Sequence, residues 1–191
     1  NNLSGFIDET GREIVRPAYG EARPFSEGLA AIGVKSSDKR FLYGYVDKTG
    51  KVIVNPKYES AGDFHDGRAL VSAHGEKFYI DPTGKELHLP GYNDLSHFSE
   101  GLAAVQAYDP QTQISKWGFI DTAGKEVIPP QYGGFFSFAK GFANVKLPGQ
   151  EKWFYIDKSG RPWASAGLLP WGLARVRLNG KWGYIDGEGR E

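Results

Sequence analysis

Cysteine is absent from the sequence, and with it disulfides, thiolate metal sites and thiol chemistry. Methionine is absent too, and the chain opens on Asn-Asn-Leu-Ser, so a leader or upstream segment is expected to have been removed. The residues leave the compartment open; these two absences are compatible with a periplasmic or secreted protein and lean that way. Neither sign of charge prevails: Lys+Arg and Asp+Glu both number 23. No overall field draws the chain to nucleic acid, and no nucleic-acid partner is expected. No apolar run is long enough to span a membrane. The Gly-x-Ser-x-Gly elbow and the phosphate-binding Gly-x-x-x-x-Gly-Lys-Ser/Thr loop are both missing.

Turn formers and rings are plentiful, with Gly 26, Pro 11 and 14% aromatic residues. Such a composition suits many short strands joined by tight turns. The phrase GFIDTAGK at 118–125 recurs as GFIDETGR at 5–12, GYVDKTGK at 44–51, FYIDPTGK at 78–85, FYIDKSGR at 154–161 and GYIDGEGR at 183–190. Its aspartates, Asp8, Asp47, Asp81, Asp121, Asp157 and Asp186, are spaced by 39, 34, 40, 36 and 29 residues. A second phrase lies between the copies: FSEGLAAI at 25–32, FHDGRALV at 64–71, FSEGLAAV at 98–105, FAKGFANV at 138–145 and a degenerate LPWGLARV at 169–176. A third joins the two, as IVRPAY at 14–19, VIVNPKY at 52–58, LHLPGY at 87–92 and VIPPQY at 127–132. Three ordered phrases at a period of this length mark a repeat architecture.

In this order the phrases resemble the WG repeat family, named for the Trp-Gly pair present as Trp117-Gly118 and Trp182-Gly183. The resemblance runs over essentially the whole chain and implies a bacterial repeat scaffold rather than a reaction. Departures are local. Tyr43-Gly44, Lys77-Phe78 and Trp153-Phe154 replace the pair, Ser4-Gly5 opens the chain, and the fifth unit reads RPWASAGLLPWG where the Pro-x-Tyr phrase belongs.

Each phrase has a local reading. Trp117-Gly118-Phe119-Ile120-Asp121 alternates with the period of two that marks a strand. Asp-x-x-Gly predicts a type I turn closed by a left-handed glycine, with the Asp side chain accepting the N–H two residues on. The returning strand ends at proline, the Tyr and Phe anchor a crossing loop, and the glycine of F-x-x-G turns the chain into a third strand. Asn179-Gly180 signals a hairpin between that third strand and the next copy of the first. The expected fold is all-β: one domain over 1–191, with tandem three-stranded antiparallel meanders as approximate units 1–42, 43–76, 77–116, 117–152, 153–181 and a partial 182–191. About five units and a terminal hairpin form a β-repeat array, or alternatively a closed five-bladed ring.

Repetition also weighs the chemistry. Six equivalent aspartates at turn corners are explained by turn formation, and one carboxylate per turn falls short of a calcium loop. His65, His74, His88 and His97 are separated by 9, 14 and 9 residues and lack zinc-ligand spacing. Neither a metal nor a cofactor is expected, nor catalysis; a hydrolase is the least favoured function. Rings that break the pattern are the candidates for partner contact: Tyr108 in the insert, Phe135 and Phe136 after Tyr132-Gly133-Gly134, and Trp163 and Trp171 in the fifth unit. The long connections at 33–42 and 106–116 belong with them. The expected function is a non-catalytic binding or scaffolding module for a protein partner, with a carbohydrate or cell-envelope glycan ligand as the alternative.

Overall fold

A computed structural model describes residues 3–163, 166–168, 174–178 and 181–185. Their regular structure is all β-strand, and among them no helix is long and apolar enough to cross a membrane. The chain divides into two compact units, Asn1–His88 and Leu89–Glu191.

The first unit holds three sheets. Ser4–Ile7 pairs with Glu13–Tyr19 in the first. Glu21–Ala22, Leu29–Lys35, Phe41–Asp47 and Val52–Tyr58 form the second, and Ser60–Ala61, Ala69–Ala73, Glu76–Ile80 and Glu86–Leu87 the third. The second unit holds a fourth sheet of Asp94–Leu95, Leu102–Asp109, Ile114–Asp121 and Glu126–Tyr132. Its fifth comprises Gly134–Phe135, Phe142–Lys146, Trp153–Asp157 and Pro162–Trp163; its sixth, Ala166–Leu168, Ala174–Leu178 and Lys181–Ile185. Among the described residues every pairing is antiparallel, strands follow sequence order, and no sheet closes on itself. This is the β-repeat array the phrases imply.

Two features refine the expected meander. The crossing stretch after each Tyr anchor contributes a two-residue edge strand, as where Glu21 and Ala22 pair with Gly33 and Ile32. The connections at 33–42 and 106–116 are extensions of hairpins: Ala107, Tyr108 and Asp109 pair with Lys116, Ser115 and Ile114. The strands around Asn179-Gly180 pair as expected, ending at Leu178 opposite Lys181, while that turn lies outside the described residues.

The Asp-x-x-Gly turns match their reading in all five described copies. At 121–125 the Gly124 N–H donates to Asp121 O at 2.9 Å and the Asp121 N–H to Lys125 O at 2.9 Å. Gly124 has φ +85°, a conformation glycine adopts without Cβ strain. Asp121 Oδ1 accepts the N–H of Ala123 at 3.0 Å, as expected, and also that of Lys125 at 2.9 Å. Thr10, Thr49 and Thr83 add hydroxyl bonds of 2.6 Å to Asp8, Asp47 and Asp81. These bonds hold the three carboxyl groups below the ordinary aspartate range, the hydroxyl contributing most.

The glycine of the Trp-Gly pair answers to a different constraint. In the second sheet Tyr43 faces Tyr58 and Tyr45 faces Val54, so Asn55-Pro56-Lys57 bulges opposite Gly44 alone. A Cβ on Gly44 would lie 2.3 Å from Val54 O and 2.6 Å from Pro56 N. Gly118 meets Ile128 O at 2.5 Å and Pro130 N at 2.6 Å, and Gly5 meets Val15 O at 2.3 Å. Where Phe78 or Phe154 takes the place of glycine, the return strand shortens from seven residues to two, Glu86–Leu87 and Pro162–Trp163. LHLPGY therefore leaves the sheet after Leu87, and the vacated space admits the His88 ring, stacked on Phe78 at 4.3 Å.

Three F-x-x-G phenylalanines pack on the aromatic two residues after the Trp-Gly tryptophan position of the preceding sheet in their own unit. The ring pairs are Phe25–Phe6 at 4.7 Å, Phe64–Tyr45 at 5.0 Å and Phe138–Phe119 at 5.0 Å. Tyr45, Phe64, Phe119 and Phe138 are fully buried, each contributing about 2–3 kcal/mol through removal from water. The Tyr45 hydroxyl donates to Gly62 O at 2.7 Å, and burial pushes its pKa upward.

The crowding at Gly44 and Gly118 predicts that Gly44→Ala and Gly118→Ala each destabilise the protein by about 3 kcal/mol, through forced backbone displacement. Gly183, with nothing within 4 Å of an added Cβ, tolerates the same substitution with a change of about 0.5 kcal/mol or less. Urea denaturation of the three variants checks this.

Candidate binding surface

Hydrogen bonding consumes most of the chemistry that the repeats carry. The turn aspartates point back into their own turns. The Ser and Glu of F-S-E-G reach the following loop: Ser26 Oγ donates to Phe64 O at 2.6 Å, while Glu27 accepts the N–H groups of Asp66 and Gly67, both at 2.8 Å. In the second unit Ser99 Oγ donates to Phe138 O at 2.7 Å, and Glu100 accepts the N–H groups of Lys140 and of Gly141, the latter at 2.7 Å. Among the described residues no three His, Asp or Glu side chains gather into a group that could hold a metal.

The five off-pattern aromatics have different fates. Tyr108 stands half-exposed, at 50%, on the extended hairpin, opposite Ser115. Phe136 is 61% exposed and lies 5.0 Å from the half-buried Trp153, over whose ring the Lys146 ammonium sits at 5.4 Å. Phe135 points the other way, into the interior of the unit, 4.6 Å from Trp117 and 6.0 Å from Phe119. Trp163 is 1% exposed; its Nε1–H donates to Asp157 Oδ2 at 3.1 Å and the Arg161 guanidinium covers its ring at 4.4 Å. Trp171 lies outside the described residues. Phe135 and Trp163 thus serve packing, and the rings available at the surface are Tyr108 and Phe136. Alternation explains the contrast between Phe135 and Phe136, because neighbours on an extended strand face opposite ways.

A further group was hidden from the sequence. In the first unit a cleft of about 250 Å³ is lined by Lys57, Tyr58, Ala73, His74, Glu76, Phe78, Glu86 and His88. Glu86 organises it: its carboxylate accepts from Lys57 Nζ at 2.8 Å and Tyr58 Oη at 3.3 Å, and lies 3.0 Å from His88 Nε2. Lys57 also stands 4.9 Å above the Tyr58 ring. The Lys57 and His88 bonds hold the Glu86 carboxyl down to about 2, and the Lys57 ammonium is correspondingly raised. Its members come from a strand bulge, a shortened return strand and the residue after it, 29 positions apart at Lys57 and Glu86. No spacing rule joins such positions. Only the departure Phe78, which shortens the return strand and frees His88 to fold back, signals the cleft.

The family model described as WG containing repeat matches residues 5–35, 43–77, 78–108 and 117–149. No curated protein matches the chain.

The Glu86 group predicts a titration. Its carboxyl changes protonation near 2, and Lys57→Ala moves that midpoint up toward the ordinary glutamate value. The depressed value means that any stability linked to Glu86 is present above the unfolded-state pKa and lost as pH falls through the folded one. Carbon-13 NMR of the Glu86 carboxyl in both proteins measures this.

Proposed function

This chain belongs to the WG containing repeat family, and we propose that it is a non-catalytic binding module that presents side chains at departures from the repeat to a protein partner. The observation that carries the reading is the division of roles among its aromatics. Tyr45, Tyr79 and Phe119, two residues beyond the Trp-Gly tryptophan position, are buried, and Tyr155 at the same place in the fifth copy is half-buried, whereas Tyr108 and Phe136 stand at off-pattern positions and in water. An exposed aromatic costs solubility without adding to a core, and rigid rings of this kind are favoured anchors in protein interfaces. Both lie in the second unit, on paired strands or beside them, so their backbones are held before a partner arrives and little ordering entropy opposes binding.

The proposal is against catalysis because the recurrent carboxylates are committed. Each described turn aspartate accepts two backbone N–H bonds, and Glu27 and Glu100 are spent on neighbouring loops. A glycan ligand has weaker support, because Phe136 and Trp153 are tilted by 48° rather than laid out as one flat platform.

The test is capture from lysate of the source organism by the immobilised chain, with quantification of the enriched proteins. Tyr108→Ala and Phe136→Ala each weaken capture of the specific partner by roughly thirtyfold, or about 2 kcal/mol, while thermal unfolding shifts by about 1 kcal/mol or less. Capture unaltered by the double substitution, or saturable binding on a glycan array in its place, refutes the protein-partner reading.

A further inference from the structure

Two F-x-x-G loops in this chain are gripped in the same manner. Each accepts one serine hydroxyl on its phenylalanine carbonyl and donates two successive backbone N–H groups to one glutamate carboxylate. The gripped backbone has the same form in both. Asp66 and Gly67 have φ of 52° and 74°, and Lys140 and Gly141 of 53° and 83°. Two consecutive left-handed residues turn their N–H groups to one side, a concavity that favours anions. With two oxygens facing two N–H groups, the contact is a charge-assisted fork.

The Phe25–Gly28 loop has the same receiving form. Glu27 and Gly28 have φ of 49° and 86°, and Ser26 and Leu29 close the same two-residue turn by reciprocal backbone bonds of 2.8 and 3.0 Å. Among the described residues, neither the Glu27 nor the Gly28 N–H meets an acceptor. Phe25 is half-buried, whereas Phe64 and Phe138 are buried completely. Ile7, on the first sheet, is 69% exposed, although Val46, Ile80, Ile120 and Ile156 at its equivalent positions are at 0%.

We propose that the Phe25–Gly28 loop is a receptor for the Ser-Glu pair of a further WG-repeat loop, which would place its hydroxyl on Phe25 O and its carboxylate across the Glu27 and Gly28 N–H groups. A second copy of this chain is a poor source of that pair. Its Ser26-Glu27 and Ser99-Glu100 pairs are already engaged. Its other loops carry His65-Asp66, Ala139-Lys140 and Pro170-Trp171 at the same positions. The occupant is therefore a repeat outside the residues of this chain. Such selection by one carboxylate gives the array a direction: a loop with Lys or Trp at the glutamate position offers the site no anion.

The test adds a copy of residues 78–116, which ends in its own Ser-Glu loop and third strand, directly ahead of Ser4 and reads amide hydrogen exchange at Gly28. The expected result is slowing of Gly28 exchange by about tenfold or more, abolished when the added copy carries Glu100→Gln. Gly28 exchange that is unchanged in the folded extension, or slowed equally by the Gln version, overturns the proposal. Should the extension not fold, the unextended chain labelled with nitrogen-15 is titrated to millimolar concentration with a cyclised Phe-Ser-Glu-Gly-Leu peptide and with its Gln counterpart. Shifts at Glu27 and Gly28 with the Glu peptide alone support the receptor; their absence, or equal shifts with both peptides, overturns it.

Discussion

Where the glycine of the Trp-Gly pair is kept, at Gly5, Gly44 and Gly118, the return strand folds across it so closely that a methyl group would meet backbone at 2.3–2.5 Å. Side chains can turn away from such a contact, but a carbonyl and a proline nitrogen held in a paired strand cannot. The proline of the Pro-x-Tyr phrase has a matching reason to be there, since a bulge residue needs no ladder N–H. Glycine and bulge are therefore one device written in two phrases about a dozen residues apart. Its consequence is the placement of Tyr58 and Tyr132: the bulge carries the strand past Gly44 or Gly118 and brings the tyrosine opposite the Tyr43 or Trp117 position.

Sheets built around that contact are joined within each unit by two devices of different kinds. A phenylalanine from the F-x-x-G loop packs on the aromatic of the preceding sheet, which supplies apolar burial without direction. The Ser-Glu pair grips the next loop through its backbone, which fixes register but adds little apolar area. Backbone N–H groups donate to the carboxylate whether the residues gripped are Asp66-Gly67 or Lys140-Gly141. Loop sequences can therefore drift while the contact stays, and this permits a repeat surface to vary for binding without loss of the scaffold.

The all-β class, the strand order and the Asp-x-x-Gly turns were legible in the residues because they depend on contacts no more than a few positions apart. Burial of Trp163 and the inward packing of Phe135 were not legible. Both break the repeat, and a broken pattern marks equally a ring turned outward and a ring that repairs packing. Trp163 belongs to the second kind, since it takes over a shortened return strand and bonds the buried Asp157. The cleft around Glu86 was further out of reach, because it forms where the return strand stops, and the stopping point follows from Phe78 occupying a glycine's place.

The sequence by itself determined the repeating unit, the hairpins and their turns, for these follow from alternation, from turn chemistry and from recurrence along the chain. Tertiary structure decided which of several equivalent side chains meet water. That choice depends on whether a neighbouring sheet covers a position, as it does Val46 but not Ile7, and on which face of a strand the chain turns inward. Both are properties of packing between segments some forty residues apart, where a side chain's own identity carries no information about what lies against it.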